Sequence, residues 1–387
     1  MHSSSTRILS SHIGSLPRPQ HILQRIYAHQ ADNVPFDERY WEMVSVAVDD
    51  VVERQKAIAI DIVSDGELGK VGFTNYLSDR LEGLGGETEM WTFHDLVDVP
   101  EVAQRQYESE GGSHICMPAC IGKLRYIGQE HVARDLKNLR HAMELHGVKN
   151  AFMPAVTPGS VTFQIVNRHY SNYEEYVMAL AEVMREEYEA IAAAGFMLQL
   201  DATDIPICAP QHGIFWASDV VEKMGYQSFI ALNLEALNYA TANIPGEQLR
   251  LHLCWANYEG PHHHDVELIE VLKPALKISN AKTIAFEAAN PRHEHEWKVF
   301  EKLDLPDDRV IMPGVIDTTT NFIEHPELVA QRIERFAGLV GRERVIAGTD
   351  CGFGTFAGFG EVVPKAAWLK LAALVEGAKI ASRRLWT

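Results

Sequence analysis

Short apolar, β-rich runs alternate with helix-like segments along most of this 387-residue chain. Apolar residues recur at helical spacing over 39–57, 172–195, 324–341 and 364–386, which predicts helices there. Strand and helix alternating eight times are typical of an α/β fold whose parallel sheet closes into a (β/α)8 TIM barrel. A doubly wound open sheet is the rival arrangement. The eight apolar runs are 7–15, 59–67, 150–160, 196–204, 250–256, 283–290, 309–317 and 344–352.

The alternation is interrupted over residues 80–149, which are rich in glycine and acidic residues. This segment follows the second apolar run, so we predict an insertion after the second strand, flanking the mouth of the barrel. No repeat, low-complexity tract or linker divides the chain. We therefore expect a single catalytic domain over 1–387, with the insertion at about 80–149.

Composition excludes several classes of protein. The chain has 53 acidic residues against 35 Lys+Arg, a formal net charge of −18 and no basic run, which argues against nucleic-acid binding. No apolar stretch reaches the roughly 18–20 residues needed to span a bilayer, and the start lacks the apolar segment of a secretory signal, so a cytoplasmic protein is expected. Five cysteines, an odd and sparse set, favour reduced thiols over a disulfide framework.

A candidate metal site emerges where the predicted strands end. His252 and Cys254 lie two residues apart in one run, so their side chains share a face of the strand. Glu287 ends the next run, and Cys351 ends the last one. A His/Cys/Cys/Glu set suits Zn²⁺, although a buried cysteine beside a hydrogen-bonded histidine is the simpler alternative for the first pair alone.

The charge of this set indicates its chemistry. Two thiolates, one carboxylate and a neutral imidazole around Zn²⁺ leave a net charge of −1, which suits holding an incoming thiol as a reactive thiolate rather than generating hydroxide. Glu287 is the ligand most easily exchanged for that thiol. The set therefore predicts sulfur alkylation, in which a zinc-bound thiolate attacks an electrophilic carbon.

A series of motifs, taken together and in order, resembles the cobalamin-independent methionine synthase family, in particular its C-terminal catalytic barrel. The resemblance covers essentially the whole chain and extends to the short single-barrel branch, which also includes epoxyalkane:coenzyme M transferases. The motifs are "SHIGSLPRP", "VSDGELGK", "VTPGSV", "LQLD", "HLCWANYEGPHHHD", "FEAANPRHEHEW", "PGVIDTTTNFIEHPELVA" and "GTDCGFGTF".

The resemblance implies methyl transfer to homocysteine, giving methionine, with Zn²⁺ as cofactor and a small-molecule thiol and an alkyl donor as partners. It carries the family's zinc ligands onto His252, Cys254, Glu287 and Cys351. It carries the family's homocysteine-binding positions onto Ile13, Ser15, Glu67 and Asp201. Two carboxylates in one pocket can pair with a substrate ammonium, whose burial would otherwise be costly.

Other positions are less well defined by the sequence. Thr319 occupies the place of the family's proton-handling histidine, so the catalytic group is unknown, with His293 and His295 as candidates. Asp350, next to Cys351, is expected to accept hydrogen bonds around the metal ligands. The run 262–264, three histidines, is either a metal cluster or a polar loop beside the zinc site.

Three alternative functions stay open at this point. The close one is epoxyalkane:coenzyme M transferase-like addition of a thiol to an epoxide. A uroporphyrinogen decarboxylase-like lyase needs no metal, and a zinc barrel could bind a thiol without turning it over. The sequence also leaves the oligomeric state open, a homo-oligomer included.

Overall fold

The computed structural model describes residues 4–32, 34–86, 88, 91–108, 117–360 and 362–387. Seven of its strands form one parallel sheet in the order β1-β12-β11-β10-β9-β7-β5. The strands in chain order are β1 (Leu9–Ser10), β2 (Leu81–Gly85), β3 (Thr92–Phe93), β4 (Ala119–Tyr126), β5 (Phe152–Val156), β6 (Val166–Asn167), β7 (Met197–Ala202), β8 (Gly213–Ile214), β9 (Leu249–Leu253), β10 (Thr283–Phe286), β11 (Val310–Ile316) and β12 (Ile346–Thr349).

The parallel sheet is curled, and the predicted α/β fold is confirmed. Its strand order never reverses, whereas a doubly wound sheet requires a reversal. The two outermost strands, β1 and β5, are both bridged to one short segment, through Ser11 with Ile62 and through Ala151 with Val63. The second apolar run thus contributes two bridging residues rather than a regular strand.

Several long helices pack against the parallel sheet. Residues in β5, β7 and β9 to β12 are buried throughout, as expected for parallel strands covered on both faces. The helices are α1 (Gln20–Asp32), α2 (Glu38–Ala57), α3 (His94–Asp98), α4 (Pro100–Tyr107), α5 (Gln129–His146), α6 (Pro158–Gln164), α7 (Tyr173–Ala193), α8 (Asp204–Ile207), α9 (Ser218–Met224), α10 (Tyr226–Ala240), α11 (Leu268–Ile278), α12 (Pro326–Val340) and α13 (Pro364–Leu385).

The four helices predicted from apolar spacing are confirmed as α2, α7, α12 and α13. Local chemistry fixes their ends. The side chain of Asn172 accepts a hydrogen bond from the Glu175 amide at 2.9 Å and starts α7, and Asp37 does the same for α2. Gly195, at φ +83°, terminates the α7 region because glycine adopts this left-handed conformation without steric cost.

Neighbouring helices pack side by side in the order α2, α5, α7, α10 and α11, and α12 packs against α13. Arg54 of α2 lies over the Trp368 ring of α13, with 5.7 Å to the centroid. Because α5 packs between α2 and α7, the last part of the segment 80–149 is a helix of the outer layer.

The earlier part of that segment forms two small sheets. Strands β2 and β4 pair antiparallel and β4 pairs with β6, while β3 pairs antiparallel with β8. The described cysteines, Cys120, Cys208, Cys254 and Cys351, are all free, and Cys116 lies outside the described residues. No helix in the described ranges combines the length and apolar character needed to cross a membrane.

Candidate metal centre and substrate cavity

The carboxyl ends of β7, β9 and β12 bring polar side chains to one edge of the parallel sheet. Asp201 in β7 is directly paired with His252 in β9. Cys254 follows β9, and Cys351 lies two residues beyond the end of β12. Since the strands are parallel, residues far apart in the sequence meet at this edge, as the sequence predicts.

His252, Cys254 and Cys351 form a compact buried cluster. One potential ligand atom from each lies within 4.8 Å of the other two. The two Sγ atoms are 3.5 Å apart, and none of the three residues is more than 3% exposed. Cys351, almost 100 positions further along the chain, thus lies beside His252 and Cys254, which the sequence places on one face of the strand.

The His252 ring is held by a carboxylate on one side and left free on the other. Its Nδ1 is 3.0 Å from Asp201 Oδ1, which also accepts a hydrogen bond from Gln199 Nε2 at 2.8 Å. Its buried Nε2 has no hydrogen-bond partner among the described residues. A carboxylate behind an imidazole fixes the ring orientation of a metal ligand, so Nε2 is available for coordination.

The protonation of this cluster fits a site that binds metal. Burial disfavours the charged ring, but Asp201 and the neighbouring Cys254 raise the pKa of His252 to about 10. The hydrogen bond with Cys351, together with burial, raises the pKa of the Cys254 thiol well above its ordinary value. A metal ion replaces these protons, since it binds thiolate and neutral imidazole. An unpartnered imidazole nitrogen beside two adjacent thiols therefore makes a candidate His/Cys/Cys metal site.

Glu287, the predicted fourth ligand, lies outside this three-residue cluster. It follows β10 and is 2% exposed. Its Oε1 accepts a hydrogen bond from the Trp255 amide at 2.8 Å. Its Oε2 is 2.8 Å from Asn290 Nδ2 and 2.6 Å from a terminal nitrogen of Arg292. These contacts use one acceptor site on Oε1 and both on Oε2, so a second site on Oε1 is left for a ligand.

Asp350 is hydrogen-bonded to the turn that follows Glu287. Its carboxylate accepts hydrogen bonds from the amides of Ala288, Ala289 and Asn290, each at 2.8 Å. Burial and then the charge of Glu287 raise the pKa of Asp350 to about 7. Asp350, which directly precedes Cys351, therefore connects the loop after β10 to the end of β12. Its contacts with this loop are to backbone amides and to the side chain of Asn290.

A cavity with a volume of about 1150 Å³, part of it open to solvent, lies over the cluster of His252, Cys254 and Cys351. All four predicted substrate-binding residues line it together with His252, Cys254 and Cys351. The remaining lining residues are Phe73, Trp91, Phe93, Leu96, Gln106, Phe163, Gln164, Thr203, Ile207, Ala256, Asn257, Tyr258, Gly352, Thr355, Phe356 and Phe359.

Glu67 reaches the cavity from a tight turn. Its backbone is left-handed, at φ +55°, and a Cβ on Gly14 would lie 2.6 Å from its Oε1, so only glycine permits this approach. Lys70 Nζ is 3.5 Å from Glu67 Oε2. Burial raises the pKa of Glu67 to about 7, because desolvation together with the charge of Asp201 outweighs the opposite effect of Lys70.

The candidate proton-handling groups lie away from the cavity wall. His293 is buried between Asp265 and Glu296, at 3.2 and 2.6 Å, and His295 is exposed. Thr319 donates its hydroxyl to Asp317 at 2.8 Å. None of these side chains is among the residues that line the cavity in the described part of the chain.

The aromatic wall of the cavity was not predicted from the sequence. The Phe93 and Tyr258 rings stack with centroids 5.2 Å apart, and Trp91 meets Phe163 edge-on at 5.7 Å. Trp91 and Phe93 belong to the segment 80–149, where no periodic pattern pointed to a site. The only signal was the expectation that this segment flanks the mouth.

These observations define the class of protein. It is an α/β protein whose curled parallel sheet carries a candidate His/Cys/Cys metal centre at its carboxyl edge, beneath a cavity with seven aromatic residues in its wall. The family of the cobalamin-independent synthase catalytic domain matches residues 130–378. Since this range is more than half of the chain, the protein belongs to that family, and the resemblance read from its motifs is confirmed.

Individual relatives agree with this membership. The chain is 24% identical to the methionine synthase of Thermococcus kodakarensis, over 97% of this chain and 94% of that protein. It is 24% identical to the methionine synthase of Sulfurisphaera tokodaii, over 96% and 92%. A B12-independent methionine synthase from Shewanella sp. W3-18-1, solved in complex with selenomethionine, has a similar fold, with a TM-score of 0.73, 20% identity and coverage of 98% and 99%.

Proposed function

We propose that this protein transfers a methyl group to the sulfur of homocysteine, at a zinc ion held by His252, Cys254 and Cys351. The observation that carries the proposal is the convergence of these three side chains at a cavity that also presents Glu67 and Asp201. Family membership supports it, as do the relatives named methionine synthase.

We propose that the site belongs to one catalytic domain over residues 1–387, a (β/α)8 barrel with an insertion at about 80–149, of which the last part, α5, joins the outer layer of helices. The bridges from Ile62 and Val63 to the two outermost strands support closure of the sheet. The contact of Arg54 with Trp368 supports closure of the outer layer of helices.

Different residues have different roles in the proposed reaction. Asp201 holds Nδ1 of His252 and so presents Nε2 to the metal. A zinc ion held by His252, Cys254 and Cys351 would lower the pKa of a bound thiol and so supply a thiolate at neutral pH. The thiol proton leaves to solvent, the sulfur forms a bond to the methyl carbon, and the bond from that carbon to its donor breaks with the electron pair leaving on the donor, which takes up a proton from solvent. Glu287 remains our predicted exchangeable fourth ligand.

The charge of the cavity favours an amino-acid thiol. Glu67 and Asp201 line it, and a substrate ammonium can pair with both. No lysine or arginine lines it in the described ranges, and the sequence has none at 1–3, 33, 87, 89, 90, 109–116 or 361 either. The sulfonate of coenzyme M would face two carboxylates, and Lys70, which pairs with Glu67, is not among the described lining residues, so homocysteine is the better fit.

One assay separates the candidate reactions. Zinc-loaded protein is offered homocysteine or coenzyme M, each with methyl-folate and with an epoxide, and thioethers are detected by mass spectrometry. We expect a product from homocysteine. A product from coenzyme M alone would replace our proposal with the epoxide-adding alternative. Thiol binding without product would indicate a non-catalytic zinc barrel, and purified protein without metal would favour a lyase.

The ionisation of Glu67 predicts a pH dependence of substrate binding. Its pKa of about 7 means that the carboxylate is lost as the pH falls through 7, and with it the partner of the ammonium. We expect KM for homocysteine to rise as the pH falls below 7, by at most about tenfold for each pH unit because Asp201 still faces the ammonium, and to level off above pH 7. Steady-state kinetics between pH 5.5 and 8, with zinc content checked at each pH, measures this.

A Glu67→Gln variant is the control for that dependence. It should have a raised KM at pH 8 and a KM that no longer changes between pH 7 and 5.5, because the titrating group is gone. If the variant keeps the profile of the parent protein, another group is responsible for it.

A further inference from the structure

A second cluster of potential metal ligands lies on the surface, outside the cavity. Asp98 is the last residue of α3, and His263 and His264 belong to the loop after β9. One ligand atom from each lies within 4.8 Å of the other two. The Nε2 atoms of both histidines converge on the same carboxylate oxygen, Asp98 Oδ2, at 3.0 and 2.7 Å.

This geometry is held by buried contacts rather than by the exposed side chains themselves. Asp95, one turn before Asp98 in α3, is 2% exposed, and its Oδ2 accepts hydrogen bonds from the Tyr258 hydroxyl at 2.6 Å and the His262 amide at 2.7 Å. Residues three apart share a helix face, so Asp98 points at the same loop as Asp95. The two histidines therefore stand on a loop that is already fixed to α3.

The donor set has a definite metal preference. Two imidazole nitrogens and one carboxylate oxygen suit borderline divalent cations such as Zn²⁺, Ni²⁺ and Cu²⁺, rather than Ca²⁺ or Mg²⁺, which take oxygen ligands. The three side chains are 35–51% exposed, so an ion can reach them from solution and water can complete its coordination.

We propose that Asp98, His263 and His264 form a second metal site, for Zn²⁺ or a similar divalent cation, which fastens α3 to the loop 258–264. Leu96 of α3 and Tyr258 of that loop both line the cavity. A metal at this site thus joins two parts of the cavity wall from outside. The proposal is independent of the reaction at the inner site, because none of its three ligands belongs to the catalytic machinery.

A metal titration tests the site. Protein without a histidine tag is loaded with zinc and dialysed, so that only tightly held metal remains, and is then titrated with Zn²⁺ in a calorimeter. We expect one further equivalent in the parent protein and none in a His263→Gln/His264→Gln double variant, which should keep its tightly held zinc and its basal activity. A Cys254→Ser variant should show the opposite pattern and retain the surface equivalent.

A control variant and a spectroscopic measurement assign the bound metal to His263 and His264. His141 is an exposed histidine whose Nε2 is 3.9 Å from Asp49, so His141→Gln is the matched control and should leave the titration unchanged. With Cu²⁺ as the probe, electron paramagnetic resonance should show two nitrogen ligands at the surface site of the parent protein and one in His263→Gln. The proposal is overturned if the parent binds no further equivalent, or if the double variant still binds it.

Discussion

Replacing Cys351 with serine is expected to remove the tightly held zinc and to lower methyl transfer to homocysteine by more than about 100-fold. The reason is that Cys351 supplies one of only two thiolates in the cluster, with its Sγ 3.5 Å from that of Cys254. A serine hydroxyl does not ionise at neutral pH, so it cannot replace an anionic sulfur ligand. Zinc content after dialysis and the rate of thioether formation measure the two effects.

Cys120→Ser is the matched control, because Cys120 is also a free, buried cysteine. It lies in β4, and its Sγ donates a weak hydrogen bond to the Gly122 carbonyl at 3.6 Å, away from the His/Cys/Cys cluster. This variant should keep both zinc and activity. Thermal unfolding of both variants shows whether Cys351→Ser is still folded. Full turnover by a folded, metal-free Cys351→Ser variant would refute the proposed zinc mechanism.

The His/Cys/Cys cluster could be predicted because each step followed from a general rule. Alternation along a strand placed His252 and Cys254 on one face, and the common edge of parallel strands brought Cys351 to them. The orientation of Glu287 could not be predicted in this way. It depends on Arg292 and Asn290, which lie five and three residues further on and turn back to its carboxylate. The sequence shows that Asn290 and Arg292 are near Glu287 along the chain, but it does not show which polar groups form hydrogen bonds with one another.

The strands and the cavity wall could also be predicted only in part. Long apolar runs such as 309–317 became strands, whereas the run 59–67 holds Ala59, Gly66 and Glu67 in left-handed conformations that interrupt extended structure. The aromatic wall depends on the pairing of β3 with β8, whose residues are about 120 positions apart. Two-residue strands leave no periodic signal, so neither this pairing nor the position of Trp91 could be predicted.

Replacing Arg80 with methionine is expected to destabilise the protein by about 3–5 kcal/mol at pH 7. Arg80 is buried and pairs with Asp135 of α5 at 2.5 Å and Glu187 of α7 at 3.0 Å. Tyr76 and Tyr126 also donate their hydroxyls to Glu187. Methionine fills much of the space but leaves the buried Glu187 and the partly buried Asp135 without their guanidinium partner. Urea unfolding, from the shift in midpoint at constant slope, measures the loss.

The pH dependence distinguishes this charge effect from lost packing. Burial tends to raise the pKa of Glu187, but in the parent protein Arg80, Lys70 and the Tyr126 hydroxyl together more than offset this and hold the pKa below its ordinary value. Without Arg80, burial is opposed less and the pKa of Glu187 in the folded state rises, so the penalty is present at pH 7 and shrinks as the pH falls and the carboxylate takes up a proton.

A second substitution tests the same explanation without changing the pH. Adding Glu187→Gln to Arg80→Met removes one of the uncompensated charges, so the double variant should be more stable than the single one at pH 7. Arg384→Met, which breaks an exposed pair with Glu327, is the control and should have a much smaller effect. If the double variant is instead less stable than Arg80→Met, the guanidinium contributes mainly through packing on the Tyr76 ring, whose centroid is 4.7 Å away.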